Sequence, residues 1–321
     1  MGLGTFRFIL ATIVALSHLW ANMISGPAAF AVWGFYLISG YLMAFVLHHH
    51  YGFAKKNLIL FFKNRLIRIY PGYYFSLFLG LITYYLMSIN HLDLASLNPE
   101  FGYPNSGASY LFNATLFPWF KTNQLLVPVS IALGLEVGFY ILAPFISYKK
   151  LIAVIALLIT ALFNYQYNII ESTFTERYSG FWCALFAFTL GIIFYFYKNR
   201  LSYFKNARLS IFLWAMQFNI VLVNLIVPWD WGLYLSLLFT LFVLNSLCDL
   251  PKNKVDLFLG DMSYLVYLLH TTVGYLILIY IPALKIRDFY YFCVAYTITL
   301  IISFIFVFFL ERPLRNSLKM N

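Results

Sequence analysis

Ten stretches of roughly twenty apolar residues recur through this chain, and they leave little room for anything but membrane-crossing helices. They run over about residues 6–24, 28–47, 72–90, 125–147, 150–169, 180–197, 209–228, 231–249, 262–283 and 289–310. Inside hydrocarbon no water satisfies the backbone, so each segment must make its own hydrogen bonds, which a helix does. The expected fold class is therefore all-α: a polytopic transmembrane bundle of about ten spans, forming one domain over residues 1–321. Composition agrees. The chain is 63% hydrophobic and 10% charged, with a mean hydropathy of +0.81, whereas soluble domains run near 45–50% and ~25%.

The basic residues test this division. With the N-terminus in the cytoplasm, seventeen of the 21 Lys and Arg fall on the inner side, among them Arg7, Arg65 and Arg68. Only Lys121, Arg177, Lys285 and Arg287 fall outside. That asymmetry follows the positive-inside rule and puts both termini in the cytoplasm. It also accounts for the net charge of +10 without nucleic acid as a partner. Arg7, an apolar run and the small residues Gly26 to Ala29 imitate a secretory signal. A second span follows at once, so the segment is expected to stay as an uncleaved first helix. Cys183, Cys248 and Cys293 are scattered and read as small core residues.

Two connecting segments stand out. Residues 48–71 are basic and partly amphipathic, and read as a cytoplasmic interfacial segment leading into the third span. Residues 91–124 form a long extracytoplasmic loop that either covers an outward-facing acceptor site or is simply solvated. The last span ends about ten residues before Asn321, so no appended soluble domain is expected.

Ionisable residues inside spans are costly in lipid and point to function. Arg7 and His18 share the first span, eleven residues apart. That spacing returns the chain to nearly the same helix face about 16 Å deeper. Ser39, Glu136 and His270 fall at a similar depth in the second, fourth and ninth spans. An imidazole beside a carboxylate is a natural base with its orienter. Each residue also has a plainer reading. His18 can be a helix–helix hydrogen bond, Glu136 a structural ion pair and Ser39-Gly40 a small-residue packing face. Ser263, Tyr267 and His270 share a face and can form an internal hydrogen-bonded seam. Arg65 and Arg68, at i and i+3, suit a polyphosphate such as a nucleotide or coenzyme A, or equally an anionic lipid headgroup. His48, His49 and His50 read as an interfacial run, with no metal site.

Taken together these residues resemble the acyltransferase-3 family of integral membrane acyltransferases, over essentially the whole chain. Arg7-x10-His18 is similar to its first-helix signature, and Gly34 to Tyr41 to its Ser-Gly motif. Arg65-x-x-Arg68 is similar to its paired arginines, Leu135 to Tyr140 to its Glu-bearing helix, and Ser263 to His270 with Glu311-Arg312-Pro313 to its C-terminal pair. The chain departs by lacking Trp-Ser before Glu136 and a second Glu after it. It is of the stand-alone type, without a fused extracytoplasmic domain.

The resemblance implies O-acyl transfer, usually acetyl from acetyl-CoA, to a hydroxyl of a cell-surface polysaccharide or its lipid-linked precursor. It also implies a bacterial plasma membrane. His18 would be the general base, its ordinary pKa of about 6.5 suiting the task. Glu136 or His270 would orient it, and Arg7, Arg65, Arg68 and Ser39 would serve the acyl-CoA. A transient acyl-histidine is an alternative route. A rival reading is a glycan-lipid transporter or flippase, which also uses midplane ionisable groups but has no need of the arginine pair.

Overall fold

Each of the ten apolar segments carries a helix. The computed structural model describes residues 1–20, 26–120, 124–169, 177–222, 231–251 and 253–314. Lys121, Trp229, Asp230, Lys252, Arg315 and Lys319 lie outside the described residues. The α-helices are α1 (Leu3–Leu19), α2 (Pro27–Val46), α3 (Lys55–Ile89), α4 (Gly107–Thr115), α5 (Ser130–Ile146), α6 (Lys150–Ile169), α7 (Phe181–Tyr197), α8 (Ala207–Leu222), α9 (Leu233–Leu247), α10 (Lys254–Tyr280) and α11 (Phe289–Phe306). No strand occurs among the described residues. Four helical stretches are individually long and apolar enough to cross a membrane: Pro27–Tyr51, Lys55–Ile89, Lys254–Tyr280 and Phe289–Leu314.

The segment 48–71 differs from its expected form. The histidine run makes a π-helical turn, Leu47–Tyr51, on the end of α2. Gly52, at φ +73°, then breaks it, a conformation only glycine adopts without strain. From Lys55 onward α3 is one continuous helix of 35 residues that runs through Pro71. His48 stacks against Tyr195 (5.1 Å, 23° between planes), and its Nε2 lies 2.7 Å from the Ser147 carbonyl.

The helices gather into two compact units. One comprises Met1–Leu3, Ser25–Lys63 and Leu135–Asp256. There α2 and α7 run parallel, Trp33 meeting the Tyr178 carbonyl just before α7 and Tyr41 meeting Phe194 further along both helices, and they cross at a very close approach. Gly40 lies against the Phe188 carbonyl and Gly191 against the Leu37 carbonyl, so neither position has room for a Cβ. Small residues let membrane helices meet backbone to backbone, where dispersion replaces the missing hydrophobic drive. α6 runs antiparallel to α7, joined by Thr160 to Thr189 and by Asn164 to the Cys183 carbonyl.

The other unit comprises Gly4–Ile24, Asn64–Gly134 and Leu257–Asn321. Here α1 and α10 run parallel. A Cβ on Gly260 would lie 3.0 Å from Gly4 Cα, and one on Gly274 would lie 2.7 Å from Leu19 Cδ2. The chain advances by fifteen residues in one helix and fourteen in the other between these contacts, so the two stay in step. The second half of α3 runs parallel to α10, with the Tyr264 hydroxyl donating to the Ile69 carbonyl at 2.7 Å. α11 returns antiparallel, Arg312 pairing with Asp261 at 3.1 Å. Apolar side chains such as Leu66, Phe78, Tyr85, Ile301 and Phe308 are left exposed on the outer faces of α3 and of α11 and its continuation. Such surfaces suit lipid contact.

The described part of the 91–124 loop, 91–120 and Gln124, is folded. Phe101 bridges to Leu125, Ser106 caps α4, and Asn113 ties α4 to Gln124 and Leu126. Its first half is tied to the end of α10: the Tyr275 hydroxyl donates to the Leu94 carbonyl at 2.6 Å and accepts from the Asn98 amide at 2.9 Å.

Candidate active site

The parallel course of α1 and α10 decides what meets inside their unit. His18, one residue before the end of α1, and His270, in mid-α10, face each other with ring centroids 5.1 Å apart. His270 is fully buried, while His18 keeps partial accessibility. His270 Nδ1 lies 3.1 Å from the Val266 carbonyl, and a carbonyl only accepts, so in the neutral ring Nδ1 bears the hydrogen and Nε2 is bare. His18 Nδ1 lies 2.9 Å from the Val14 carbonyl and 3.3 Å from that bare Nε2. Both neighbours accept, so the His18 hydrogen sits on Nδ1. The lone pair of His18 Nε2 is thereby left for chemistry.

Along the same unit the basic residues segregate. Arg7 is one turn beyond the Gly4–Gly260 contact, and Arg65 and Arg68 lie just before Ile69, which meets Tyr264. Arg312 meets Asp261 at that same end. The histidine pair lies about 15 Å further along the helix axes, given about 1.5 Å per residue. The Tyr267 ring lies 6.3 Å from that of His270, centroid to centroid. Ser263 bonds back to Gly260 of its own helix, and Tyr267 donates to the Val129 carbonyl.

Glu136 and Ser39 meet in the other unit. The Ser39 hydroxyl and the Tyr140 hydroxyl each donate to Glu136 Oε1 at 2.5 Å. Both bonds fall on one oxygen, so Oε2 takes part in neither. The four polar residues that share a depth in the sequence thus form two bonded pairs, His18 with His270 and Ser39 with Glu136, in different units. Tyr140 is the partner the sequence reading passed over. Its i+4 spacing from Glu136 was the available signal. Among the described residues no group of three or more His, Cys, Asp or Glu side chains is gathered to hold a metal ion.

Comparison with known proteins decides the class. The family model of the acyltransferase-3 family, described as an acyltransferase domain, matches residues 2–308. The chain belongs to the acyltransferase-3 family. No curated protein and no solved structure proved similar to it. As a member of that family, with helices long and apolar enough to cross a bilayer, it is a membrane acyltransferase. Such an enzyme needs an acyl donor and an acceptor.

Proposed function

We propose that this acyltransferase moves an acyl group, acetyl in the first instance, from cytoplasmic acyl-CoA to a hydroxyl of a cell-surface polysaccharide or its lipid-linked precursor. The setting is a bacterial plasma membrane. Helix directions support the ten-span arrangement on which this rests. α1, α3 and α10 run together and α11 against them, and α2 and α7 run together with α6 against them. That is the parity a chain has when it crosses ten times, and the asymmetry of the basic residues puts its N-terminus in the cytoplasm. Arg7, Arg65 and Arg68 then lie at the inner mouth, where their planar forks suit the phosphates of coenzyme A. The pantetheine arm reaches the histidine pair from there, and the acceptor alcohol comes from the opposite end.

In the transfer, His18 Nε2 takes the proton of the acceptor hydroxyl as its oxygen adds to the thioester carbonyl. The resulting imidazolium keeps its Nδ1–H on the bare Nε2 of His270, which stabilises the charge. Collapse of the tetrahedral adduct expels the coenzyme A thiolate, which takes the proton back from His18. Ester and free thiol are the products.

The observation that carries this reading is the His18–His270 pair, one ring fully buried and the other partly accessible, with both Nδ1 atoms on carbonyls. Acetyl transfer from labelled acetyl-CoA, measured on the purified protein, tests it. His18→Ala should lower turnover by about 10²–10⁴-fold, the usual share of general-base catalysis, while the protein still reaches the membrane. Arg68→Ala should chiefly raise the KM for acyl-CoA. Wild-type turnover in the His18→Ala protein would exclude the role given to that ring.

A further inference from the structure

At the end of the unit opposite Arg7, Arg65 and Arg68, two buried donors have no acceptor. Tyr291 is fully buried in α11, and its hydroxyl makes no hydrogen bond. It lies 2.8 Å from where a Cβ on Gly274 would be. Gly274 is one turn beyond His270 on the same face of α10, about 6 Å along the axis. One turn before Tyr291 stands Arg287. Its Nη2 donates to the Leu97 carbonyl at 3.0 Å, but its buried Nε–H meets nothing. Arg287 forms no ion pair among the described residues. The nearby acids Asp93 and Asp288 are exposed, and Asp93 accepts from the Ala95 amide. The guanidinium lies within electrostatic range of His18, Tyr275 and Tyr291.

The backbone adds a second sign. Arg287 sits at φ +61°, in the left-handed region that side-chain-bearing residues seldom occupy. Such conformations are costly and persist where the surroundings hold them, often at ligand sites. A buried donor without an acceptor also forfeits the hydrogen bond it would make to water. A fold that keeps two such donors, one of them on an arginine in the left-handed region, has a use for them.

We propose that Arg287 and Tyr291 form an oxyanion-binding subsite for the acceptor, holding a negatively charged group next to the hydroxyl that His18 activates. The inference rests on the function proposed above and narrows the acceptor to an anionic glycan substrate. The bound group is the carboxylate of an acidic sugar or the pyrophosphate of a lipid-linked one. Arg287 Nε and the Tyr291 hydroxyl donate to its oxygens. The segment around Leu97, which now occupies Arg287 Nη2, is displaced as the anion enters. A neutral hydroxyl-bearing sugar would leave both donors unmatched, so selection arises from the mismatch rather than from added contact area.

The test compares kcat/KM of the purified full-length protein for three acceptors that share one hexose: a neutral oligosaccharide, its glucuronate-terminated counterpart, and the neutral oligosaccharide on polyprenyl pyrophosphate. The readout is the ratio of charged to neutral acceptor, so a general loss of activity cancels. The wild type should favour one charged acceptor at least about tenfold. Arg287→Gln should bring the ratio near one. Tyr291→Phe, which deletes only an unbonded oxygen and so spares the packing, should lower it about fivefold. Preference for the glucuronide identifies the carboxylate, and preference for the carrier-linked sugar identifies the pyrophosphate. Equal use of all three, use of neither charged acceptor, or a ratio that survives both substitutions overturns the subsite. Absence of any acetyl-CoA turnover, hydrolysis included, would instead overturn the underlying acetyl-transfer reading.

Discussion

Replacing His270 by Phe asks directly whether the second ring serves the first. Phe keeps the volume of a fully buried ring and so avoids the cavity that Ala would leave. What disappears is Nε2, the acceptor 3.3 Å from His18 Nδ1. In the resting enzyme that contact is shared with the Val14 carbonyl at 2.9 Å, so the ring stays oriented and little binding energy is lost. In the transition state His18 becomes an imidazolium, and a hydrogen bond to a charged group contributes about 1.5–3 kcal/mol. At about 1.4 kcal/mol per tenfold in rate, kcat should fall roughly 10- to 150-fold, with KM for acyl-CoA nearly constant. The assay is steady-state acetyl transfer by wild type, His18→Ala, His270→Phe and the double variant. Because His270 acts through His18, the double variant should be no slower than His18→Ala alone. A multiplicative loss in the double variant, or full kcat in His270→Phe, would refute the partnership.

Three further outcomes follow from the geometry. Tyr140→Phe removes one of the two donors to Glu136 Oε1 and should lower kcat/KM roughly tenfold; unaltered kinetics in both Tyr140→Phe and Glu136→Gln would rule out a role for this group. Gly191→Val drives a side chain into the Leu37 carbonyl, and at or above the ~3 kcal/mol top of the usual overpacking range it should remove the monodisperse peak on detergent size exclusion. Gly107→Ala, with nothing within 4 Å, is the harmless control. Burial pushes the Glu100 carboxyl from its ordinary 4.5 up to about 7, so the fold favours the protonated acid. Its contribution is complete below about pH 4.5 and is lost as pH rises through 7. The melting temperature of Glu100→Gln should therefore pull ahead of wild type between pH 5 and pH 8, and parallel curves would show that the carboxyl is not linked to folding.

Much of the architecture is legible from residues alone because the bilayer is a harsh solvent. A backbone that must satisfy itself leaves the helix as the form for an apolar stretch of twenty residues, so element type and position follow from hydropathy. The continuous α3 was less legible. Its charged first turns read as an interfacial segment, 48–71, leading into the third span. The level match within each pair was legible too, since rise per residue brings His18 level with His270, and Ser39 with Glu136, without any knowledge of packing.

Pairing was another matter. Nothing in periodicity tells Glu136 to take Ser39 and Tyr140, or His270 to offer His18 a bare nitrogen. Those choices depend on which helices stand side by side and which way each face turns. The glycine contacts at Gly4–Gly260, Gly40–Phe188 and Gly191–Leu37 set that arrangement. Arg287 and Tyr291 were equally hidden, one an outer-loop cation and the other an ordinary aromatic in an apolar run. By itself the sequence determined that this chain is a helical membrane protein with histidines and a glutamate inside its apolar helices, because the free energy of transfer into lipid acts residue by residue. Only the tertiary structure decided which polar groups bond and which donors stay open, because a hydrogen bond depends on ångström distances between segments far apart in the chain.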